Sequence, residues 1–244
     1  MARSAPLSAD ALTGLNKLVS NSGRKSSVQL ARSFARQEGV DGEPPLAMLL
    51  RQGEVALKLY LTLVMMTRKS PHEVYRDTSS EFFACSLETQ KVGTAPESGV
   101  RRVNRALAQL ENQEFIQRCN RPGRWPGITV KHWEDEDKLY ISIPLGLWKK
   151  GWIVAMSGRA LAVYVALRLA GVSSQGEFFH IRPYVQVQYG LSKDTWRRGV
   201  QELVTLGVLE VSMGKVDDQF VMKRDRRLYR LVPGVIEDKK PSLI

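Results

Sequence analysis

Cysteine is scarce in this 244-residue chain: Cys85 and Cys119 are the only two, and no CxxC pair occurs. That excludes a disulfide framework and suits a reducing compartment. Histidine is nearly as scarce. His72, His132 and His180 lie far apart in sequence, which supplies neither the clustered ligands of a zinc site nor an evident catalytic base. No run of about 18 apolar residues is present, so no transmembrane helix is expected. The opening MARSAPLSAD lacks the apolar centre of a secretory signal, and a cytoplasmic protein is expected. The motifs GxxxxGK[ST], GxSxG and HExxH are missing. Neither an enzyme nor a cofactor is expected.

Negative charge is also in deficit. Thirty-six Lys and Arg face 25 Asp and Glu, a net +11 with 43% hydrophobic residues. The hydrophobic share is that of an ordinary globular protein, and the surplus favours a polyanionic partner. The one acidic run, residues 134–137, consists of consecutive carboxylates whose side chains diverge. It reads as a solvated loop, not a metal site.

The most informative stretch is LSKDTWRRGVQELVTLGVLEV, residues 191–211. Ser192 suits a helix N-cap. Trp196, Val200, Leu203 and Val204 follow at the spacing of one apolar helical face. Lys193, Arg197 and Gln201 form a polar stripe. Gly207 suits a left-handed cap, and Val208, Leu209 and Val211 read as a strand. A helix with cations in its first turns, followed by a strand pair, resembles the recognition helix and wing of a winged helix-turn-helix. Residues SKDTWRRGVQEL resemble the recognition helix of GntR-type repressors, in which a Ser is followed by a cation, a Thr and an Arg. The departure is Asp194, which would repel phosphate unless it accepts from a cytosine amino group or caps the helix.

The pattern occurs twice. Residues 56–63, ALKLYLTL, match residues 160–167, ALAVYVAL, at an offset of 104, and residues 105–116 match residues 198–209 at an offset of 93. The expectation is therefore an α+β, mainly helical chain with two tandem winged helix-turn-helix domains. The boundaries read as a basic, partly disordered arm over residues 1–45 and a first domain over 46–143. A connecting segment over 144–156, a second domain over 157–236 and a frayed tail over 237–244 follow. Helices are expected at 54–66, 80–87, 99–112, 157–170 and 192–206. A further amphipathic piece is expected at 27–37, and a wing tip at 212–218. Phe82, Phe83 and Cys85 are expected in the core. The GntR-type regulators carry a separate effector domain, which this layout does not supply. The tandem layout also resembles plasmid replication initiators with two winged helices.

Reading DNA requires a helix that enters the major groove with cations or amides near its N-terminus. That selects Ser192, Lys193, Thr195, Arg197 and Arg198 in the second unit. Lys193 and Arg197 are placed on base edges, and Ser192 and Thr195 on phosphates. Arg198 is read as a backbone contact or as the i+4 partner of Glu202. Arg101, Arg102, Asn104 and Arg105 hold the matching places in the first unit. Arg121 and Arg124 lie at its hairpin tip, and Lys223 and Arg224 on the return strand of the second wing. From Arg101 to Arg124 there are six arginines and two glutamates. The bland reading of any one of these residues is a solvated helix face; the cluster is what argues for phosphate. The expected partner is double-stranded DNA, with a possible homodimer and no membrane. The expected role is a transcriptional regulator. The alternatives are a plasmid or phage replication initiator on repeated origin sites and a winged-helix scaffold that binds protein.

Overall fold

The structure, a computed structural model, describes residues 7–37, 42–74, 78–90, 94–95, 97–119, 127–132, 139–171, 176–218 and 221–241. The side chains of residues 184–185, 216–218 and 221–224 lie outside that description. Among the described residues the fold is α+β, mainly helical, with three small antiparallel sheets.

The chain opens with α1 (Ala9–Ser22), where the Ser8 hydroxyl accepts from the Ala11 N–H. Then come β1 (Ser27–Ala31), α2 (Arg32–Ala35), α3 (Pro45–Gln52) and α4 (Glu54–Met66). A first unit continues from α4 through β2 (Glu73–Val74), α5 (Ser80–Ser86), α6 (Glu97–Asn112), β3 (Ile116–Cys119) and β4 (Gly127–Val130). Next are β5 (Tyr140–Pro144), α7 (Gly146–Lys149) and α8 (Trp152–Ala155). A second unit holds α9 (Gly158–Ala170), β6 (Phe179–His180), α10 (Pro183–Val187), α11 (Lys193–Thr205), β7 (Leu209–Asp218) and β8 (Val221–Leu231). The described chain closes on α12 (Val235–Asp238).

The two units share one order: helix, short strand, two helices, hairpin. Their sheets run β2-β4-β3 and β6-β8-β7, with the hairpin's second strand in the middle of each. The sequence repeat is thus repeated in topology: α4 and α9 begin and end 104 residues apart (54 to 158, 66 to 170). The hairpins open at matching rungs, Ile116 opposite Val130 and Leu209 opposite Leu231. Both α4 and α9 are apolar nearly all round, as a helix enclosed on every side must be, and they lie in one continuous core. Polar groups also tie α4 to the segment that connects the two units. Lys58, buried, donates to Glu54 Oε1 at 2.6 Å and to the Val154 carbonyl at 3.0 Å. Thr62 Oγ1 accepts from Trp148 Nε1 at 3.1 Å.

Several expectations are corrected. Over residues 7–37 the chain is no loose arm. Leu15, Leu18 and Val19 of α1 are buried, each such side chain contributing about 1.5–3 kcal/mol over exposure. Residues 27–31, expected as part of an amphipathic helix, form a strand paired with β5, Val28 opposite Ile143 and Leu30 opposite Ile141. The alternation of Val28, Gln29 and Leu30 carried the strand signal. Residues 45–52, which start on the last residue of the expected arm, form α3, because a proline is accepted in a helix's first turn. Phe83 is in the core, but Cys85 of the same short helix is exposed. The second hairpin's strands extend past the expected wing tip: Met213 pairs with Arg227 and Gly214 with Arg226 inside the ladder. The frayed tail is also corrected up to residue 241. Val235 and Ile236 are buried, and the Lys239 carbonyl accepts from Trp152 Nε1 at 2.8 Å. The acidic run at 134–137 lies outside the described residues.

Candidate nucleic-acid interface

The second unit holds a cationic cleft. Helix α11 is fixed at its start by Ser192, whose hydroxyl accepts from the Thr195 N–H at 3.1 Å and donates to Thr195 Oγ1 at 2.9 Å. It lies close across α9 because position 199 is glycine: a Cβ there would meet Val163 Cγ2 at 2.6 Å and the Arg159 carbonyl oxygen at 2.9 Å. At its end Glu202 reaches back to α9, accepting from the Ser157 N–H at 2.7 Å and its hydroxyl at 2.6 Å. Trp196 anchors the middle. It stacks on Tyr189 (centroids 5.9 Å, planes 11° apart) and meets Tyr229 edge-on at 6.3 Å.

With α11 held this way, its first turns face the base of the β7–β8 hairpin across a cleft of about 340 Å³. Lys193 and Arg197 line it from the helix, Arg226 and Arg227 from β8. Among the described residues, no carboxylate lines it. His180 lines it too, and its Nδ1 is 3.2 Å from the Arg227 carbonyl, which ties β6 to β8. Trp196 also lines the cleft. It is 6% exposed, and its indole Nε1 has no hydrogen-bond partner among the described residues. Four cations converge there; Asp194, bonded to Arg197, offsets part of their charge, and the surplus suits the cleft to an anion.

The candidate residues divide as follows. Ser192 and Thr195 form the cap; Lys193 and Arg197 reach the cleft. Arg198 does not pair with Glu202: its Nε lies 2.8 Å from Asp194 Oδ2, while Glu202 is committed to Ser157. Asp194 also accepts from Arg197 Nη2 at 2.8 Å. The Arg197 hydrogen bond, with Arg198 assisting, holds the Asp194 carboxyl below the usual carboxylate range.

In the first unit Arg101 and Arg105 are exposed on α6. Arg102 and Asn104 are engaged inside the unit. Arg102 Nη1 donates to the Thr89 carbonyl, and Asn104 Oδ1 accepts from Ser80 Oγ at 2.5 Å. Arg121 and Arg124 lie outside the described residues. Lys223 and Arg224 are on β8, with side chains outside the description.

Sequence reasoning missed Arg226, Arg227 and His180. The signal for Arg227 was alternation: Tyr229 is buried against Trp196, and residues two apart in a strand share a face. Compared with protein-family models, with curated proteins and with solved structures, the chain matches none at a significant level.

Proposed function

We propose that this chain binds double-stranded DNA sequence-specifically through two winged helix-turn-helix units, with α11 as the reading helix and β7–β8 as its wing. The observation that carries the reading is the cleft in which Lys193 and Arg197 face Arg226 and Arg227, with no carboxylate among the described residues that line it. Such a cleft seats a phosphate strand between helix and hairpin while Arg197, at the outer edge of the helix, is left to bases. The shared order of elements in both units and their common core support a second, fixed contact on the same duplex. The first unit then contributes Arg101 and Arg105, and less through Arg102 and Asn104, which hold its own loop and α5.

The role we retain is transcriptional control. Recovery of DNA bound in cells tests it: one operator at a promoter fits a regulator, whereas an array of repeats at an origin fits a replication initiator.

The binding itself is tested by competition of Arg197→Ala and Arg227→Ala against specific and random duplexes. Arg197→Ala is expected to lose about 1–3 kcal/mol on the specific site and to relax one base position. Arg227→Ala is expected to weaken both duplexes alike, with a shallower salt dependence. Wild-type affinity that does not change with salt overturns the phosphate reading, and with it the proposal.

A further inference from the structure

The sheet of the second unit ends on an open edge. In its order β6-β8-β7, β8 lies in the middle and β7 at the rim. One contact fixes which groups of β7 face inward: the Val232 N–H donates to the Val208 carbonyl at 3.0 Å, directly across the hairpin. The ladder keeps that register from Leu209 opposite Leu231 to Val216 opposite Arg224. Opposed residues of an antiparallel pair alternate between exchanging both hydrogen bonds and exchanging none. Glu210, Ser212 and Gly214 therefore bond to β8, and the N–H and C=O groups of Val211, Met213 and Lys215 point to the rim. Among the described residues, no backbone group bonds to that rim.

The side chains at the rim are apolar. Val211 is 39% and Met213 61% exposed, and, two apart in a strand, they share a face. Such an edge is a template for a further strand, and monomeric proteins block it with proline, charge, a bulge or brevity. β7 contains no proline. Its blocks, Lys215, the acidic residues 217–218 and the register shift between Val216 and Asp218, all fall at its far end. Near its start Glu210 is held by Arg230, whose Nε donates to Oε2 at 3.0 Å. The stretch between, Val211 to Gly214, is left clear.

We propose that this edge pairs with the same edge of a second copy of the chain, antiparallel about a two-fold axis at Ser212, so that two three-stranded sheets become one. The occupant must bring an open edge of its own, apolar side chains at alternate positions and charges that do not clash, and β7 itself meets all three. Centred on Ser212, the pairing sets Val211 of each copy opposite Met213 of the other. These are the residues whose N–H and C=O groups face the rim, so each such pair exchanges two hydrogen bonds while it covers both exposed side chains. Glu210 falls opposite Gly214 of the other copy, so no like charges oppose. The Lys215 end of each strand comes beside the Glu210 end of the other, where the charges are unlike. A register one residue along would instead set Val211 opposite Lys215 twice. The pairing stands by itself. Its consequence rests on the function proposed above: a two-fold dimer presents two copies of α11 to an inverted repeat.

The test is sedimentation velocity of the full chain at stepped concentrations, which is expected to show a monomer–dimer equilibrium. Met213→Pro removes a rim N–H and no bond to β8, a place where an edge strand accepts proline. It is expected to keep the fold and weaken the dimer by roughly tenfold or more. Met213→Lys, at an exposed side chain, carries the same test if the proline disturbs the hairpin. Cross-linking checks the register. At the two-fold the Ser212 residues form a non-hydrogen-bonded pair with Cα atoms about 4.5 Å apart, within disulfide reach. In a chain carrying Cys85→Ser and Cys119→Ser, Ser212→Cys is expected to give a disulfide-linked dimer under mild oxidation, and Lys215→Cys is not. A monomer at every concentration overturns the proposal. So does a Met213→Lys chain that dimerises like the wild type, or Lys215→Cys cross-linking as readily as Ser212→Cys. A dimer of this register in a chain that binds no DNA keeps the edge pairing and removes the DNA reading.

Discussion

Asp194 Oδ1 accepts from Arg197 Nη2 at 2.8 Å, three residues apart on the exposed first turns of α11. Its second oxygen serves Arg198. One carboxylate thus orders two arginines and offsets part of their charge. In the DNA-binding reading, Asp194 trades grip for direction. It limits indiscriminate phosphate binding and presets where Arg197 points.

Removing that carboxylate separates the two effects. Asp194→Ala is expected to tighten binding to random duplex, steepen its salt dependence and narrow the gap between specific and random DNA. Because the carboxyl is held below its usual range, the Arg197 and Arg198 pairs persist as pH drops through the ordinary carboxylate region. They are lost only when pH falls through the depressed value. Competition binding at stepped salt reads the effect, and weaker binding to random duplex by Asp194→Ala counts against it.

Gly199 sits mid-helix, where alanine ordinarily gains about 1 kcal/mol. Here the sign reverses, because the added methyl meets Val163 Cγ2 at 2.6 Å and a backbone oxygen at 2.9 Å. Gly199→Ala is expected to lose about 1–3 kcal/mol in denaturant unfolding. A gain in stability would show that α11 and α9 are farther apart than described.

Glu202 and Arg198 are four residues apart and look like a helix pair, but only Glu202 has a structural duty. Ser157→Ala is expected to cost about 0.5–2 kcal/mol through loss of the α9 cap. Glu202→Ala is expected to cost about 1–3 kcal/mol, since it leaves the Ser157 N–H and hydroxyl without their acceptor. Arg198→Ala is expected to leave stability unchanged. Thermal melts of the three variants check the order, and a large loss for Arg198→Ala would reinstate the Arg198–Glu202 pair.

His132 gives the fold an acid-sensitive point. Burial, with His72 and Arg24 nearby, lowers its pKa to about 4. Its ring stacks on His72 with centroids 3.8 Å apart, and its Nε2 lies 2.9 Å from Thr67 Oγ1. That hydroxyl also reaches the Leu63 carbonyl at 3.0 Å, and when its proton is given there neutral His132 donates to it. The folded pKa is below the unfolded value, so between about 6.5 and about 4 the unfolded chain takes up a proton that the folded chain refuses. Stability is therefore expected to be full above that window and to fall as pH drops through it. Unfolding midpoints at stepped pH, compared with His132→Asn, measure the contribution, and an identical pH slope in the variant would remove His132 from it.

What the sequence determined is what a few neighbouring residues settle between them. The limits of α4, the caps at Ser157 and Ser192, the start of α11 and the pairing logic of β7 and β8 follow from periodicity, capping chemistry and Gly207. So does the repeat at 104 residues, because α4 and α9 meet the same burial with the same apolar pattern. Tertiary structure decided what depends on partners far along the chain. Val28 and Leu30 became a strand because β5 offers them an edge more than 100 residues away. Residues 235–239 stayed docked because Val235 and Ile236 are buried and Trp152 reaches the Lys239 carbonyl. The arginines show the same division. Their number is local information, but an exposed guanidinium takes whichever acceptor the fold brings within reach. Arg102 was given to Thr89 and Arg198 to Asp194, while Arg197 and Arg227 were brought to one cleft by a strand register and a helix crossing that no single stretch encodes.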